Sequence, residues 1–417
     1  MKGKLSNSYP LDNSAMIHLA ARRKNYTNGF RIVITMKETV CIETLQKAVN
    51  RITLRFPTVI AGIRQSFFKY HIVPNRIPPR VKEEKECLAP MTEKEIESCA
   101  FRVFCSGNRI VTEIFHSLTD GYGGMVITNT LVAEYLQLKY SISVPVTEMV
   151  LDVDCNAKKE ELADDYFTYA GKKAKPPKHR NVYQIPGKAK SDYRVRTTTN
   201  IYMADTILNT AHYYGVTATT LFTAIMAASV MDIQYRYLAE GKRKKAVQIM
   251  VPVNLRKLFS SQTLRNFSLY ALCCMETQNE EKSFEELLCS VGDQLAEQTT
   301  KDYMEALMAM NTKAARFPMY QAVPLSLKCI ILRLVHQLFG ECNSCISISN
   351  LGTISLPEVL DDFIEGIDFM LTPRIRSPYN CGVVTFHGRI SINFSRLCRN
   401  PELEEIFFNK LESVCKI

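Results

Sequence analysis

Apolar and polar residues follow one another in the first half of the chain in patterns that predict both strands and helices. Residues 30–37, FRIVITMK, alternate apolar with more polar side chains, as a half-buried strand does. Residues 41–57, CIETLQKAVNRITLRFP, carry apolar side chains at helical spacing and end at Pro57. Residues 108–115, NRIVTEIF, are rich in the β-branched and aromatic side chains typical of a strand. After a glycine-rich bend, one face of a further predicted helix carries Ile127, Leu131, Tyr135 and Leu138.

The second half repeats this mixture of helices and strands without an evident sequence repeat. Residues 218–238 predict a strongly apolar helix that is buried on most sides, and residues 283–298 predict an amphipathic helix. The predicted strands are VQIMVPVNLR at 247–256, CISISN at 345–350, CGVVTFHG at 381–388 and RISINFS at 389–395, the last two joined as a hairpin at His387 and Gly388.

The length of the chain predicts two domains. With 417 residues, 46% hydrophobic and 23% charged, it has the composition of a globular protein and exceeds the size at which one core stops growing. A segment rich in Lys and Pro at residues 171–192 divides it into an amino-terminal domain, residues 1–170, and a carboxy-terminal domain, residues 193–417. Ligand sites often lie between domains, so we expect the functional site there.

Neither the amino terminus nor the interior carries a membrane-targeting pattern. The first residues lack the apolar run of a signal peptide. The longest apolar-rich stretch, residues 220–231, is well short of the roughly 20 residues that span a bilayer. We therefore expect a cytoplasmic protein with no transmembrane segment. Its 14 cysteines are interpreted as reduced thiols, and the single CxxC at Cys342–Cys345 lacks a second ligand pair, so no metal site is predicted.

The net charge of +10 is concentrated in the predicted linker. Residues 171–190, GKKAKPPKHRNVYQIPGKAK, are rich in Lys and Arg and contain no Asp or Glu, and their prolines argue against a helix. This segment could be a solvated linker, a contact for an anionic phosphorylated ligand or carrier, or a nucleic-acid contact. The run KKAKPPKHR has none of the aromatic residues on which bases stack, which argues against nucleic acid.

The stretch FHSLTDGYGG, residues 115–124, places a histidine at a sharp bend between a predicted strand and a predicted helix. Asp120 and Gly121 form a turn dipeptide, and His116 is one of only seven histidines. An imidazole with a pKa near ~6.5 can act as a general base for a hydroxyl or amine that attacks a carbonyl. The alternative is a core histidine beside a turn. No G-x-S-x-G elbow occurs, so the sequence does not indicate a serine nucleophile.

The stretch HSLTDG matches the HxxxDG motif of chloramphenicol-acetyltransferase-like acyltransferases, a superfamily that includes condensation domains, wax ester synthases and alcohol acetyltransferases. The chain resembles these proteins along nearly its whole length, most closely the free-standing alcohol acetyltransferases and wax ester synthase-like proteins. The supporting segments, in order, are YPLDNSAMIHLA, GVTATTLFTAIMAASV, VPVNLRKLF followed by RNFSL, and ISNLG.

This resemblance implies an α/β fold of two chloramphenicol-acetyltransferase-like domains, each a mixed sheet flanked by helices, with an active-site tunnel between them. His116 would be the general base, and backbone N–H groups at Gly121 would bind the oxyanion. Asp120 would be held by an ion pair with Arg256, which could otherwise be a surface cation near a strand end. Substrate-binding residues would be Ser117, Tyr122, Asn254, Asn266, Ser349 and Asn350, although such residues also suit turns without a functional role.

The activity implied is transfer of an acyl group from a CoA thioester to an alcohol in a ternary complex, without a covalent acyl-enzyme and without a bound cofactor. One alternative is a free-standing condensation-type enzyme, which would take a phosphopantetheine thioester from an acyl carrier protein and use an amine or hydroxyl acceptor. Another is a catalytically silent binding module. Phe115 stands where many condensation domains have a second histidine, which favours a stand-alone transferase. The chain lacks tryptophan and the DFGWG segment, which argues against the plant-type branch.

Overall fold

The computed structural model describes residues 8–12, 15–23, 26–171, 180–187, 194–239, 242, 245–276, 283–313, 317–335 and 342–416. In this part of the chain the α-helices are α1 (Met16–Ala21), α2 (Ile42–Ile52), α3 (Glu93–Ser98), α4 (Gly121–Tyr140), α5 (Asp165–Tyr169), α6 (Ala204–Tyr213), α7 (Ala218–Tyr237), α8 (Arg256–Phe259), α9 (Phe284–Gln298), α10 (Lys301–Lys313), α11 (Pro318–Ala322), α12 (Leu325–Val335) and α13 (Glu402–Cys415). The strands are β1 (Tyr9–Pro10), β2 (Gly29–Met36), β3 (Ala61–Gln65), β4 (Tyr70–Pro74), β5 (Lys82–Glu83), β6 (Phe101–Ser106), β7 (Arg109–Phe115), β8 (Arg196–Met203), β9 (Val247–Asn254), β10 (Ser268–Met275), β11 (Ile346–Thr353), β12 (Ile364–Leu371), β13 (Tyr379–Phe386) and β14 (Arg389–Arg396).

Most of the predicted basic linker lies outside the described residues. Residues 172–179 and 188–193 belong to this undescribed part, so the expected contact of the linker with a ligand or carrier stays a prediction.

The first half of the chain supplies four strands of a five-stranded sheet in the order β12-β2-β7-β6-β5. The apolar side chains of β2 face the core beneath α4, as the alternation predicts. The prediction that β2 is only half-buried is wrong, because the other face of the strand is covered as well. There Arg31, 2% exposed, donates from Nη1 to Glu113 Oε1 at 3.1 Å and also pairs with Glu84. The charged side chain of Arg31 in the alternating pattern of β2 therefore belongs to a buried ion pair and not to a solvent-exposed face of the strand.

Helix α4 packs between this sheet and α2 and is buried on nearly every side from Gly123 to Leu136. The prediction of a single apolar face was therefore too narrow. Leu138, assigned to that face, is 39% exposed. Because of this all-round burial, the helix cannot shift without disrupting the core.

The second half builds a six-stranded sheet in the order β10-β9-β11-β13-β14-β8. The predicted hairpin is confirmed: β13 and β14 pair antiparallel and turn at His387 and Gly388, whose φ values are 45° and 68°. The predicted apolar helix is α7, which lies buried against β9, α9 and α13.

Strand β12 joins the two halves. It belongs to the second half of the sequence but pairs antiparallel with β2, with Ile367 opposite Ile34. It also packs closely on β13, where a Cβ added to Gly382 would lie 2.1 Å from the carbonyl oxygen of Phe369. The two sheets therefore meet at β12, and the groups on its surface lie at the junction of the halves. A smaller sheet, β1-β4-β3, flanks the first.

In the described part of the chain, no single helix is long and apolar enough to cross a membrane. By length and composition alone, α6 and α7 together would be long and apolar enough to cross a membrane. The two helices meet at 84°, however, and most of α7 is buried in the core.

Candidate active site

His116 lies immediately after β7, at the junction of the two sheets. Its backbone N–H donates to Asn28 O at 3.0 Å, which continues the pairing of β2 with β7 for one residue beyond β7. Its half-buried ring stands edge-on to Phe30, with centroids 5.3 Å apart. The strand pairing and this aromatic contact fix both the backbone and the ring.

The imidazole of His116 makes one hydrogen bond to the second half of the chain. Nδ1 lies 3.1 Å from Asn266 Oδ1, and because an amide oxygen can only accept, this contact assigns the ring proton to Nδ1. Nε2 of a neutral ring then carries the free lone pair. Asn266 was expected to bind substrate. The structure instead places it, 5% exposed, beside Nδ1 of the histidine, where its amide oxygen accepts the ring N–H.

A second histidine packs on the first. The ring of His18, on α1, stacks on that of His116 with centroids 4.5 Å apart and planes inclined by 22°. Asn28 Nδ2 lies 2.7 Å from His18 Nδ1 and donates to it, so the residue that anchors the His116 backbone also orients His18. The sequence does not predict this contact, because periodicity carries no signal for a contact between residues 18 and 116.

Asp120 is the N-cap of α4, and both of its carboxylate oxygens are occupied. Oδ1 accepts from the Gly123 N–H at 3.1 Å, while Oδ2 accepts from Arg256 Nη1 and from the Phe267 N–H, each at 2.8 Å. The side chains of Asp120 and Arg256 are each 5% exposed. With both oxygens bonded in this way, Asp120 fits the positioning role that the resemblance implies for it.

Arg256 connects this carboxylate to the loop that carries Asn266. Its Nη2 donates to Arg265 O at 2.7 Å, and Asp120 receives the Phe267 N–H. The residues on both sides of Asn266 are therefore tied to the ion pair. Through Asn266, the pair of Asp120 and Arg256 supports the tautomer of His116.

A cavity of about 110 Å³ opens in front of the histidine. Burial raises the pKa of the Tyr122 hydroxyl on its wall, so that group stays protonated. The lining is otherwise largely apolar, with Leu351 and Phe369 facing the start of α4. Of the predicted site residues, the structure brings to this cavity His116, Asp120, Gly121, Tyr122, Asn254, Ser349 and Asn350.

Three residues expected to bind substrate have other contacts. Ser117 is fully buried and donates to Ala15 O at 3.0 Å, so it does not line the cavity. Asn254 Oδ1 accepts from Arg256, both from its backbone N–H and from Nη1. Asn350 lines the cavity, but its amide donates to Thr219 Oγ1 and accepts from the Gly352 N–H. These side chains stabilise the walls of the cavity.

The glycines after Asp120 allow a close approach of backbone and aromatic side chains. A Cβ on Gly123 would lie 2.6 Å from the carbonyl oxygen of Leu264, and one on Gly124 would lie 2.4 Å from Phe30. The first turn of α4 thus packs closely against the Leu264 backbone in the second half of the chain.

We expect Gly123→Ala to lower the free energy of unfolding by about 1–3 kcal/mol, because the Leu264 backbone cannot move aside as a flexible side chain would. The matched control is Gly292→Ala in the middle of α9, where the new Cβ meets only Thr220 at 3.8 Å. That substitution should stabilise the protein by up to ~1 kcal/mol, as alanine does in helices. Urea unfolding measures the free energy of unfolding of both variants. A change of the same sign in Gly123→Ala and Gly292→Ala would contradict this explanation.

A second, larger cavity of about 480 Å³ lies near α1 and the turn between β3 and β4. Its lining includes Met16, Phe68, Phe167 and Asp164. Burial, and next the nearby charge of Asp12, raise the pKa of Asp164 to about 6. In the described part of the chain its Oδ1 accepts no hydrogen bond. Ionisation of the Asp164 carboxyl therefore destabilises the folded state.

Because the pKa of Asp164 is higher in the folded state than in the unfolded state, the folded protein holds this proton more tightly. Its contribution to stability falls as the pH rises from about 4 to about 6. We expect Asp164→Asn to raise the free energy of unfolding by roughly 1–2 kcal/mol at about pH 8 and to change it little at about pH 4. Exposed Asp293→Asn is the control. Equal effects of Asp164→Asn at the two pH values would contradict this explanation.

Among the described residues, no group of three or more His, Cys, Asp or Glu side chains is placed to hold a metal ion.

Comparison with known proteins identifies the fold. No family model matches the sequence, and no curated protein matches it. Among solved structures, polyketide synthase associated protein 5 from Mycobacterium tuberculosis superposes with a TM-score of 0.62 at 11% identity, covering 98% of each chain. TRI101 of F. sporotrichioides, solved in complex with coenzyme A and T-2, gives a TM-score of 0.62 at 12% identity over 97% of each chain. The condensation domain of the monacolin K polyketide synthase MokA gives 0.58 at 11% identity, covering 98% of this chain and 96% of that one.

The chain therefore has the two-lobed α/β fold of the condensation-domain and chloramphenicol-acetyltransferase-like acyltransferases, and the predicted fold class is confirmed. At 11–12% identity the likeness establishes the fold alone.

Proposed function

We propose that this protein is an acyltransferase that moves an acyl group from a CoA thioester to an alcohol, with His116 as the general base. The observation that carries the proposal is the hydrogen bond from His116 Nδ1 to Asn266, which leaves the lone pair of Nε2 free beside a cavity at the junction of the two sheets. A base held in one tautomer on a rigid strand end suits proton removal from a bound hydroxyl.

The reaction needs no group covalently attached to the protein. The acceptor O–H gives its proton to His116 Nε2 as the oxygen attacks the thioester carbonyl carbon. The oxyanion of the tetrahedral intermediate accepts hydrogen bonds from the first N–H groups of α4, at Gly121 and Tyr122, which have no partner within the helix. The carbon–sulfur bond then breaks, and the imidazolium returns its proton to the thiolate.

The choice of donor rests on the fold and on the site. TRI101, which shares the fold, was solved with coenzyme A and T-2 together, the arrangement that a ternary complex requires. The apolar wall formed by Leu351 and Phe369 suits an acyl chain or the body of an apolar alcohol. A carrier-bound phosphopantetheine thioester presents the same reacting atoms, so the experiment compares both donors.

The test measures thiol release from acetyl-CoA with and without a panel of aliphatic and cyclic alcohols, and identifies the product by mass spectrometry. We expect thiol release that depends on the alcohol and yields its ester. A parallel reaction supplies the acetyl group on a phosphopantetheinylated carrier protein and adds amine acceptors. Ester or amide formed only from the carrier would reassign the donor. Absence of ester and amide with either donor, in a protein that still binds CoA, would favour a binding module.

A further inference from the structure

Helix α12 presents an apolar face to the outside of the molecule. Leu327, Ile330, Ile331 and Leu334 are 48%, 55%, 45% and 53% exposed. Ile330, Ile331 and Leu334 follow Leu327 by three, four and seven residues, so the four side chains share one face of the helix. Large apolar side chains grouped in this way on a surface mark an interaction site.

The opposite face of α12 is fixed to the protein. Leu325 and Lys328 are 4% and 3% exposed, and Lys328 Nζ donates to Phe68 O and to Gln321 O, each at 3.1 Å. Arg333 Nε donates to Ala20 O on α1 at 3.3 Å. The helix is therefore held with its apolar face outward and cannot rotate that face into the core.

Two neighbouring segments extend this face. Leu325 N donates to Phe67 O at 3.0 Å, so the turn between β3 and β4 lies against the start of α12, and α11 precedes it in the chain. The side chains at these positions are also exposed, with Phe67 at 71% and Met319 at 85%. We call the combined surface the α12 face; its members are Phe67, Phe68, Phe317, Met319, Leu327, Ile330, Ile331 and Leu334.

The charges within these segments have one sign. Residues 64–70 and 317–335 contain no Asp or Glu, and Arg64, Lys69 and Arg333 among them are exposed. An apolar helix face bordered by cations is the pattern of a helix that lies in the plane of an anionic lipid surface, with its apolar side chains among the acyl chains and its cations at the headgroups.

We propose that the α12 face docks the protein on an anionic lipid bilayer. Phe68 of the α12 face and the exposed Lys69 also line the cavity of about 480 Å³, so the docked protein would hold this cavity beside the bilayer. An amphiphilic ligand could then pass from the lipid into the cavity. Docking does not depend on the proposed acyl transfer, and a binding measurement tests it without an activity assay.

The experiment is co-sedimentation of the full chain with vesicles of phosphatidylcholine mixed with phosphatidylserine, compared with phosphatidylcholine alone. The test variant is Ile330→Gln with Leu334→Gln. The matched control is Leu54→Gln with Ile77→Gln, which changes side chains 72% and 77% exposed outside the α12 face. We expect the wild type and the control to bind the mixed vesicles, more weakly as salt is raised, and the test variant to bind about tenfold less tightly.

Four results would overturn the proposal. In the first, the wild type does not sediment with the mixed vesicles; in the second, the two double variants lose vesicle affinity equally. In the third, the wild type binds phosphatidylcholine vesicles as tightly as the mixed vesicles. In the fourth, the wild type is a dimer that binds no vesicles and that the test variant converts to a monomer. The last would assign the α12 face to contact between two copies of the chain. Since all the substituted side chains are exposed, melting temperatures near that of the wild type are expected and serve as the folding check.

Discussion

Replacing His116 by alanine is expected to lower kcat for acyl transfer about 10²- to 10⁴-fold, the usual contribution of a positioned general base. The substitution removes Nε2, and the acceptor hydroxyl must then lose its proton to water. Because KM for the donor depends on the rest of the cavity, it should change much less than kcat. Thiol release from acetyl-CoA at saturating alcohol measures this effect directly.

The matched control for this variant is His387→Ala. His387 is exposed at the turn of the β13–β14 hairpin and pairs with Asp361, so its loss should leave kcat within a factor of about two of wild type. Both variants should retain the wild-type fold by circular dichroism. If kcat of His116→Ala equalled that of His387→Ala, His116 would be excluded as the general base.

The second large effect is expected from Arg256→Gln, which should lower the free energy of unfolding by about 3–5 kcal/mol. The substitution leaves the carboxylate of Asp120 buried without its cation, and it also removes the guanidinium bonds to Thr263 O and Arg265 O. The loop that positions Asn266 would loosen, so kcat should fall as well. Urea unfolding and the transferase assay on the same preparation measure both changes.

Arg22→Gln provides the comparison for an exposed ion pair. Arg22 pairs with Glu93 at 3.1 Å with side chains 27% and 74% exposed, and its loss should cost at most about 1 kcal/mol. Asp120→Asn and the double variant complete a cycle with Arg256→Gln. We expect the double variant to be less destabilised than the sum of the two single changes, since each removes the partner of the other. Strict additivity, or unchanged stability and activity in both single variants, would contradict the buried pairing.

Local sequence signals were sufficient to place His116 and Asp120 on the molecule. A strand of β-branched residues, an Asp-Gly turn and an apolar helix are all readable over short windows, and the structure arranges β7, the bend and α4 accordingly. Arg256 was named from resemblance, and the structure places its guanidinium 2.8 Å from Asp120 across 136 residues of sequence. No composition or periodicity argument identifies such a distant partner.

The contacts that refine the site are those that depend on tertiary packing. His18 precedes His116 by 98 residues and Asn266 follows it by 150, and β12 crosses from the second half to complete the first sheet. A polar residue beside a motif can equally well serve the fold, as Ser117 and Asn350 do. The sequence identifies which polar groups are chemically able to bind substrate. Only the structure shows which of them already make hydrogen bonds within the protein.

We propose that His116 Nε2 receives the proton of an acceptor hydroxyl at the junction of the two sheets. A crystal structure of the protein with coenzyme A and the alcohol that reacts fastest tests this proton transfer. We predict that the alcohol oxygen lies about 2.6–3.2 Å from Nε2, with the thiol of coenzyme A reaching the same cavity. An alcohol bound away from this ring, or an Nε2 atom hydrogen-bonded to the protein while both substrates are in place, would contradict the account.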